Sequence, residues 1–127
     1  MRRSREVWAV LIGSALLLVG CGGTTTVGHP AAPDTPAVPL REVLASPDVY
    51  DGRTVVLRGT LTGLCADRCE FTYTEDGTSV TIYMSSAKAP RVPVGQPVRV
   101  TAKVHKGKQQ VVITAVGLEV LSGGPRR

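Results

Sequence analysis

Aromatic side chains are scarce in this sequence, because tryptophan, tyrosine and phenylalanine together make up only 4% of its 127 residues. No apolar run reaches the roughly 20 residues that a membrane-spanning helix requires, which excludes a polytopic membrane protein. The composition also excludes collagen-like and coiled-coil proteins. With 43% hydrophobic residues, the chain is long enough for one small globular domain and too short for two.

The net charge indicates little about a partner. The formal charge is +5, and the first six residues contribute +2 of it through three arginines and one glutamate. A chain that began at Cys21 would therefore carry +3. A positive charge of this size does not by itself indicate nucleic-acid binding.

The first 20 residues have the pattern of an export signal. Three arginines lie within residues 1–6, and residues 7–19 form an apolar run of about 13 residues, too short to span a bilayer. The run ends at Leu18-Val19-Gly20-Cys21, which resembles the lipobox of bacterial lipoproteins. The resemblance implies a signal peptide at residues 1–20 and a lipid on the sulfur of Cys21. An ordinary signal peptide and an uncleaved anchor are the alternatives.

Lipidation of Cys21 would place the protein outside the cytoplasm, anchored to the cell membrane or to an outer membrane. Several acyl chains on one residue form a stable anchor, whereas a single chain binds marginally. The membrane is thus the partner predicted for the acylated N-terminus. Gly22 follows the cysteine, and in a bacterium with two membranes the lack of an aspartate there implies outer-membrane sorting by family analogy.

The segment after the lipobox is predicted to be a flexible tether. Residues 21–38 hold the lipidated cysteine and then a stretch rich in glycine, threonine and proline with no helical or strand period. Fully extended, it would reach about 55 Å. His29 is expected to be solvated there. Residues 39–121 are predicted to form the folded domain, and residues 122–127 a C-terminal tail.

The hydrophobic pattern of the folded domain begins with a helical period and then changes to alternation. A short helix is predicted over residues 39–46, ended by Pro47, because Leu40, Val43 and Leu44 share one face. Alternating residues then predict five strands, with a tight hairpin turn at residues 75–78. The predicted strands cover residues 54–64, 70–74, 79–85, 98–105 and 109–121.

These elements predict an all-β domain, a small five-stranded antiparallel barrel preceded by a short helix. The strand order resembles the OB-fold. Residues 43–55 also resemble the helix-turn-strand entry of small bacterial OB-fold proteins of the tRNA-anticodon-binding-like group. The helix that usually joins strands three and four of this fold is replaced by a proline-rich loop at residues 87–97.

Cys65 and Cys69 are predicted to form a disulfide, because an exported protein meets oxidising conditions. A redox-active dithiol is an alternative, although the spacing differs from Cys-x-x-Cys by one residue. A copper or zinc site that adds His105 is the other alternative, but two cysteines supply only half of a zinc site. No cofactor is predicted.

OB domains bind oligonucleotides or oligosaccharides on their second and third strands, through stacking aromatic residues and basic residues. The candidates for such a ligand face are Arg58, Phe71, Tyr73, Tyr83, Arg99 and Lys103. Phe71 and Tyr73 share one face of their strand, which is also typical of core residues. Four acidic residues near the second strand, at positions 67, 70, 75 and 76, would repel phosphate, so nucleic acid is not the favoured ligand.

The sequence gives little support for catalysis. The folded domain contains one histidine, at position 105, and no nucleophile motif such as Gly-x-Ser-x-Gly. We therefore expect a lipid-anchored, non-enzymatic binding or envelope-assembly module, with an envelope protein or a polysaccharide as its partner. The alternatives are an oligosaccharide- or oligonucleotide-binding OB domain and a metal-handling lipoprotein that uses Cys65 and Cys69.

Overall fold

The computed structural model describes residues 24–121. The predicted signal peptide, the lipidation site Cys21 and the C-terminal tail lie outside these residues. The strands are β1 (Thr24–Gly28), β2 (Thr54–Leu64), β3 (Glu70–Glu75), β4 (Thr78–Met84), β5 (Gln96–Lys106) and β6 (Val111–Leu121), and the helices are α1 (Leu40–Ala45) and α2 (Pro47–Tyr50).

Strands β2 to β6 close into a barrel, which confirms the predicted five-stranded all-β fold. Around the barrel the order is β2, β3, β4, β6, β5 and back to β2. One pairing differs from an all-antiparallel barrel, because β4 and β6 run parallel through Ile82–Met84 and Ile113–Ala115. The loop after β4 and the whole of β5 lie between these two strands in the chain, so β6 returns in the direction of β4.

The sequence alternation predicted the strands to within about two residues at each end. The hairpin turn between β3 and β4 is also confirmed, since Asp76 and Gly77 have φ values of 50° and 82°. Positive φ at both central residues gives the twist that a two-residue hairpin requires, and Asp-Gly is a favoured pair there. The predicted end of the first helix before Pro47 is confirmed, because α1 ends at Ala45, but the sequence did not predict α2, which Pro47 begins. Proline suits the first turn of a helix, where its missing N–H has no partner to lose.

The barrel interior is filled mainly by valine, leucine and isoleucine, with two aromatic rings from β3. Tyr73 is fully buried, and it lies directly against Gly59 of β2. A Cβ atom at Gly59 would lie 2.7 Å from Cζ of Tyr73 and 2.6 Å from the carbonyl oxygen of Thr74. Glycine at position 59 thus provides the space for the largest side chain of the core.

The buried Tyr73 hydroxyl connects the barrel to α1. It donates to the carboxylate of Glu75, whose other oxygen accepts a hydrogen bond of 3.0 Å from the backbone N–H of Leu40. Since Pro39 at the N-cap offers no side-chain acceptor, Glu75 satisfies a helix N–H that would otherwise lack a partner. Burial, followed by the bond to Glu75, raises the pKa of Tyr73 well above its usual value.

We expect Y73F to lower the free energy of unfolding by about 1–2 kcal/mol, because the half-buried Glu75 carboxylate would lose its donor. Urea unfolding followed by circular dichroism measures this change. Y50F is the matched control, since the exposed Tyr50 hydroxyl donates to Glu42 at 2.8 Å and its loss should cost under about 0.5 kcal/mol. Equal stability of Y73F and the unmodified protein would contradict the assigned role of Glu75.

The segment predicted to be a free tether is instead attached to the barrel. Its first part is β1, which pairs antiparallel with β6 from Thr24 opposite Leu121 to Gly28 opposite Gly117. Its second part, residues 29–38, crosses the outside of β5 and β2, and we call residues 24–38 the strap. The backbone N–H of Val38 donates to the carbonyl of Val56 at 2.9 Å, which fixes the far end of the strap.

The strap explains three buried residues that point away from the core. Val56, Arg99 and Thr101 lie on the outer face of the barrel, yet each is at most 4% exposed. Arg99 donates to the carbonyls of Ala31 and Ala32 and forms a 2.5 Å ion pair with Glu119. The Thr101 hydroxyl accepts from the N–H of Ala31 at 2.8 Å. Polar side chains of the barrel therefore satisfy the backbone groups of the strap.

Candidate functional site

The structure corrects half of the predicted ligand face. Phe71 is 1% exposed and Tyr73 is fully buried, so both rings belong to the core and cannot stack on a ligand. Arg99 lies beneath the strap and is held by Glu119 and two backbone carbonyls. Sequence alternation correctly placed Arg99 on the outer face, but it gave no sign that the strap covers that face.

The other three predicted residues are exposed but do not form one surface. Arg58 lies at a hollow of about 270 Å³ beside α1, which it lines with Arg41, Glu75 and Asp76. Lys103 is on β5, opposite Thr54. Tyr83 is on β4, where its side chain is 40% exposed. Of the predicted aromatic residues, only Tyr83 is accessible to a ligand.

Tyr83 lies at a groove that the sequence did not indicate, formed by β4, α1 and the β5–β6 hairpin. Two adjoining hollows of about 320 Å³ each make up the groove, and they share Leu44, Gln110 and Val111. On the β4 side the lining residues are Ser79, Val80, Thr81 and Tyr83. On the hairpin side they are Pro47 and residues 106–109.

The groove exists because β4 and β6 are paired over a short distance only. Their parallel ladder joins Ile82, Tyr83 and Met84 to Ile113, Thr114 and Ala115. Within residues 24–121, the first half of β4 has no backbone partner on its β6 side. Leu44 of α1 and the half-buried Val80 and Val111 form the apolar part of this opening.

Hydroxyl groups continue from the groove across the neighbouring strands. Ser79 and Thr74 are joined by a 2.7 Å hydrogen bond, and Thr74 and Thr62 by one of 2.9 Å. These exposed side chains lie on the outer faces of β4, β3 and β2. The surface beside the groove is therefore polar and uncharged, with many groups that can both donate and accept.

One of the two lysines on the hairpin side of the groove, Lys106, is paired. The ammonium group of Lys106 binds the carboxylate of Asp48, and this contact raises the pKa of the lysine. The backbone N–H of Lys106 donates to Asp51 at 2.8 Å, and Nδ1 of His105 lies 3.8 Å from the same carboxylate. Because α2 supplies these acidic partners, Lys108 is the lysine on the hairpin side of the groove that has no ion pair among the described residues.

Cys65 and Cys69 are exposed free thiols in the structure, in the loop between β2 and β3. Both thiols lie beside Asp67, whose pKa is lowered by the backbone N–H of Cys69 and by the Cys65 thiol. Loss of hydration, then the Asp67 carboxylate, raises the pKa of Cys69. A reactive thiolate needs a lowered pKa, so this environment disfavours Cys69 as the reactive thiol of a redox pair. The disulfide stays a prediction.

The alternative metal site is not assembled. His105 lies nine residues along β5 from Gln96, which pairs with Leu61 near the cysteine loop. At about 3.3 Å per residue, His105 lies roughly 30 Å along the strand from Gln96. Among the described residues, no group of three or more histidine, cysteine, aspartate or glutamate side chains could hold a metal ion.

Among the comparisons with known proteins, the one with solved structures identifies the fold of the barrel. No protein-family model matches the chain, and no curated protein matches it by sequence. Part of a protein assigned as an aspartyl-tRNA synthetase from Leishmania major Friedlin matches 79% of this chain, with a TM-score of 0.61 and 13% identity. The barrel has an OB-like fold. The match covers 24% of the synthetase chain, so it concerns one region of a longer protein.

A second solved structure, the hypothetical protein ygiW from E. coli, matches 70% of this chain and 94% of its own, with a TM-score of 0.49 and 16% identity. At these identities the resemblance concerns the fold alone. Within residues 24–121, no helix is both long and apolar enough to cross a bilayer.

Proposed function

We propose that this protein is an exported lipoprotein, anchored through Cys21, whose OB-like barrel is a non-enzymatic binding or envelope-assembly module. The export signal and the lipobox-like sequence support the anchor. The groove beside Tyr83 carries the binding part of the proposal. It is the surface where an accessible aromatic ring, hydroxyl groups and amide groups come together.

The chemistry of the groove favours a neutral oligosaccharide as its ligand. An exposed aromatic ring offers a flat apolar face against which a sugar ring packs. Ser79, Thr81 and Gln110 offer hydrogen bonds to sugar hydroxyls without adding charge. Two adjoining hollows of about 320 Å³ suit several linked units better than a single small molecule.

An oligonucleotide is a less suitable ligand for the same groove. Tyr83 stands opposite Glu70 in the β3–β4 register, so a carboxylate lies beside the stacking ring. Of the two lysines on the hairpin side of the groove, Lys106 is already paired with Asp48, which leaves Lys108 as a single cation there. Phosphate binding depends on free cations, whose contacts supply most of the affinity of such complexes.

The proposal is tested by titrating the mature chain with neutral cell-wall oligosaccharides and with single-stranded oligonucleotides at low salt, using calorimetry. We expect oligosaccharide binding that Y83A weakens about tenfold or more, because a stacked ring contributes about 1–3 kcal/mol. The control is V94A, which removes another exposed apolar side chain, one that does not line the groove. Equal affinity of Y83A and V94A would exclude the groove as the binding site.

A protein partner is tested in intact cells with a photo-crosslinking amino acid at position 83, compared with the same probe at position 103 on the strap-free part of β5. A crosslinked envelope protein at position 83 alone supports the assembly role. The binding proposal fails if no polymer binds in the titration and no partner is captured at position 83.

A further inference from the structure

The distance between the predicted lipid and the barrel is short. Strand β1 begins at Thr24, three residues after Cys21. Three Cα–Cα steps span at most about 11 Å. A lipid on Cys21 would thus hold the first paired residue of the barrel close to the headgroups, rather than at the end of a 55 Å tether.

The rest of the strap is also fixed to the barrel by hydrogen bonds and close contacts. After the five paired residues of β1, the N–H of His29 donates to the carbonyl of Val116 at 2.8 Å. The strap then lies against Gly117, where a Cβ atom would be 2.4 Å from the backbone nitrogen of Pro30. Buried hydrogen bonds to Arg99 and Thr101 hold the segment that follows.

The strap enters the barrel at one defined end. Thr24 pairs with Leu121, the last residue of β6. Val98 near the start of β5 pairs with Val120, so the β4–β5 loop lies at this same end. The loop between β2 and β3 joins it there, because the N–H of Ala89 donates to the carbonyl of Arg68 at 2.9 Å. We call this the anchor end.

We infer that the anchor end of the barrel rests on the phospholipid surface in which Cys21 is inserted, and that the β5–β6 hairpin and α2 face away from the membrane. This inference rests on the proposed function, since it requires the lipid on Cys21. The short covalent connection sets the orientation. It keeps the anchor end near the headgroups at a high effective concentration, so that weak contacts are sufficient.

The side chains of the anchor end suit a lipid headgroup surface. Lys88 and Arg91 are exposed on the β4–β5 loop, and Val94, also exposed, follows them. Cationic groups bind headgroup phosphates, and an apolar side chain enters the interface between headgroups and acyl chains. Asp67 and Glu70 lie at the same end and balance the charges of Lys88 and Arg91, so the strap must contribute most of the orientation.

The hairpin side of the groove lies at the other end of β6. It is lined by Val111 at the start of β6 and by Leu44 of α1, whereas Leu121 ends β6 beside the anchor. Tyr83, opposite Glu70, lies nearer the β2–β3 loop. Strand β6 has 11 residues. With a rise of about 3.3 Å per residue and a strand tilt of about 40°, the β5–β6 hairpin would be held roughly 25 Å above the anchor end.

Tryptophan fluorescence can measure this orientation, because the one tryptophan of the chain is Trp8, within the predicted signal peptide. V94W places a probe at the anchor end. V49W places one on α2 at the hairpin end, at a valine that is 53% exposed compared with 57% for Val94. Each mature, lipidated variant is reconstituted in phosphatidylglycerol–phosphatidylcholine vesicles that carry a dansyl group on a fraction of the headgroups.

We expect energy transfer to the dansyl headgroups to be several-fold stronger from V94W than from V49W. Equal transfer would overturn the inference, since a barrel on a free tether samples all orientations. Failure of both variants to float with the vesicles would instead contradict the lipid anchor, and with it the proposed function. G117A is the further test, because displacing the strap should remove the difference between the two probes in a barrel that is still folded by circular dichroism.

Discussion

Replacing Arg99 with alanine is expected to lower the free energy of unfolding by about 3 kcal/mol. The Arg99 side chain is 5% exposed, and its guanidinium group satisfies Glu119 and the carbonyls of Ala31 and Ala32. Without it, a partly buried carboxylate and two carbonyls beneath the strap lose their charged donor. Because a domain of this size loses about 4–8 °C per kcal/mol, its melting temperature should fall by more than about 10 °C.

Arg58 supplies the matched control for this prediction. It stands directly opposite Arg99 in the β2–β5 register, also on the outer face, but it is exposed. R58A should therefore change the free energy of unfolding by less than about 0.5 kcal/mol. Chemical denaturation measures the free energy of unfolding of both variants. If R99A and R58A lose similar amounts of this free energy, the strap contributes little to stability, whereas a loss confined to R99A supports its role.

C21S is expected to move the protein from the membrane fraction to the soluble fraction of the cell envelope. Serine has no thiol to receive the lipid, and the acyl chains supply the membrane affinity at about 0.8 kcal/mol for each buried CH₂ group. Carbonate-washed membranes and the soluble fraction, compared by immunoblot, measure the distribution. C65S is the control, since Cys65 lies in the loop between β2 and β3 and is not part of the lipobox-like sequence.

Retention of C21S in the washed membranes would contradict lipid anchoring at that residue. It would indicate instead that residues 7–19 stay uncleaved in the membrane, or that a protein partner holds the barrel there. Loss of C65S from the membranes would equally contradict the assignment, because the anchor would then depend on the fold of the barrel.

The barrel could be predicted from sequence because local alternation determines which side of each strand is buried. Val55, Leu57 and Leu61 alternate along β2 with outward-facing residues, of which Val56 is buried beneath the strap, and this pattern needs no knowledge of the other strands. The Asp-Gly turn after β3 is a similarly local signal. The parallel pairing of β4 with β6 depends on how the sheet closes, and no local pattern determines it.

The strap and the groove could not be predicted, because both depend on contacts between distant segments. Strand β1 is Thr-Thr-Thr-Val-Gly, which shows no alternation and reads as linker composition. Its place is determined by Arg99 and Thr101, whose side chains bond to Ala31 from 68 and 70 residues away. For the same reason the buried Arg99 was interpreted as an exposed ligand contact.

The mass of the mature N-terminus tests the lipoprotein assignment most directly. The protein is purified from bacterial membranes in detergent, digested, and its N-terminal peptide is analysed by mass spectrometry. The account predicts a peptide that begins at Cys21 and carries a diacylglyceryl group on its sulfur. A peptide that begins upstream of Cys21, or one that begins at Cys21 with an unmodified thiol, would contradict it.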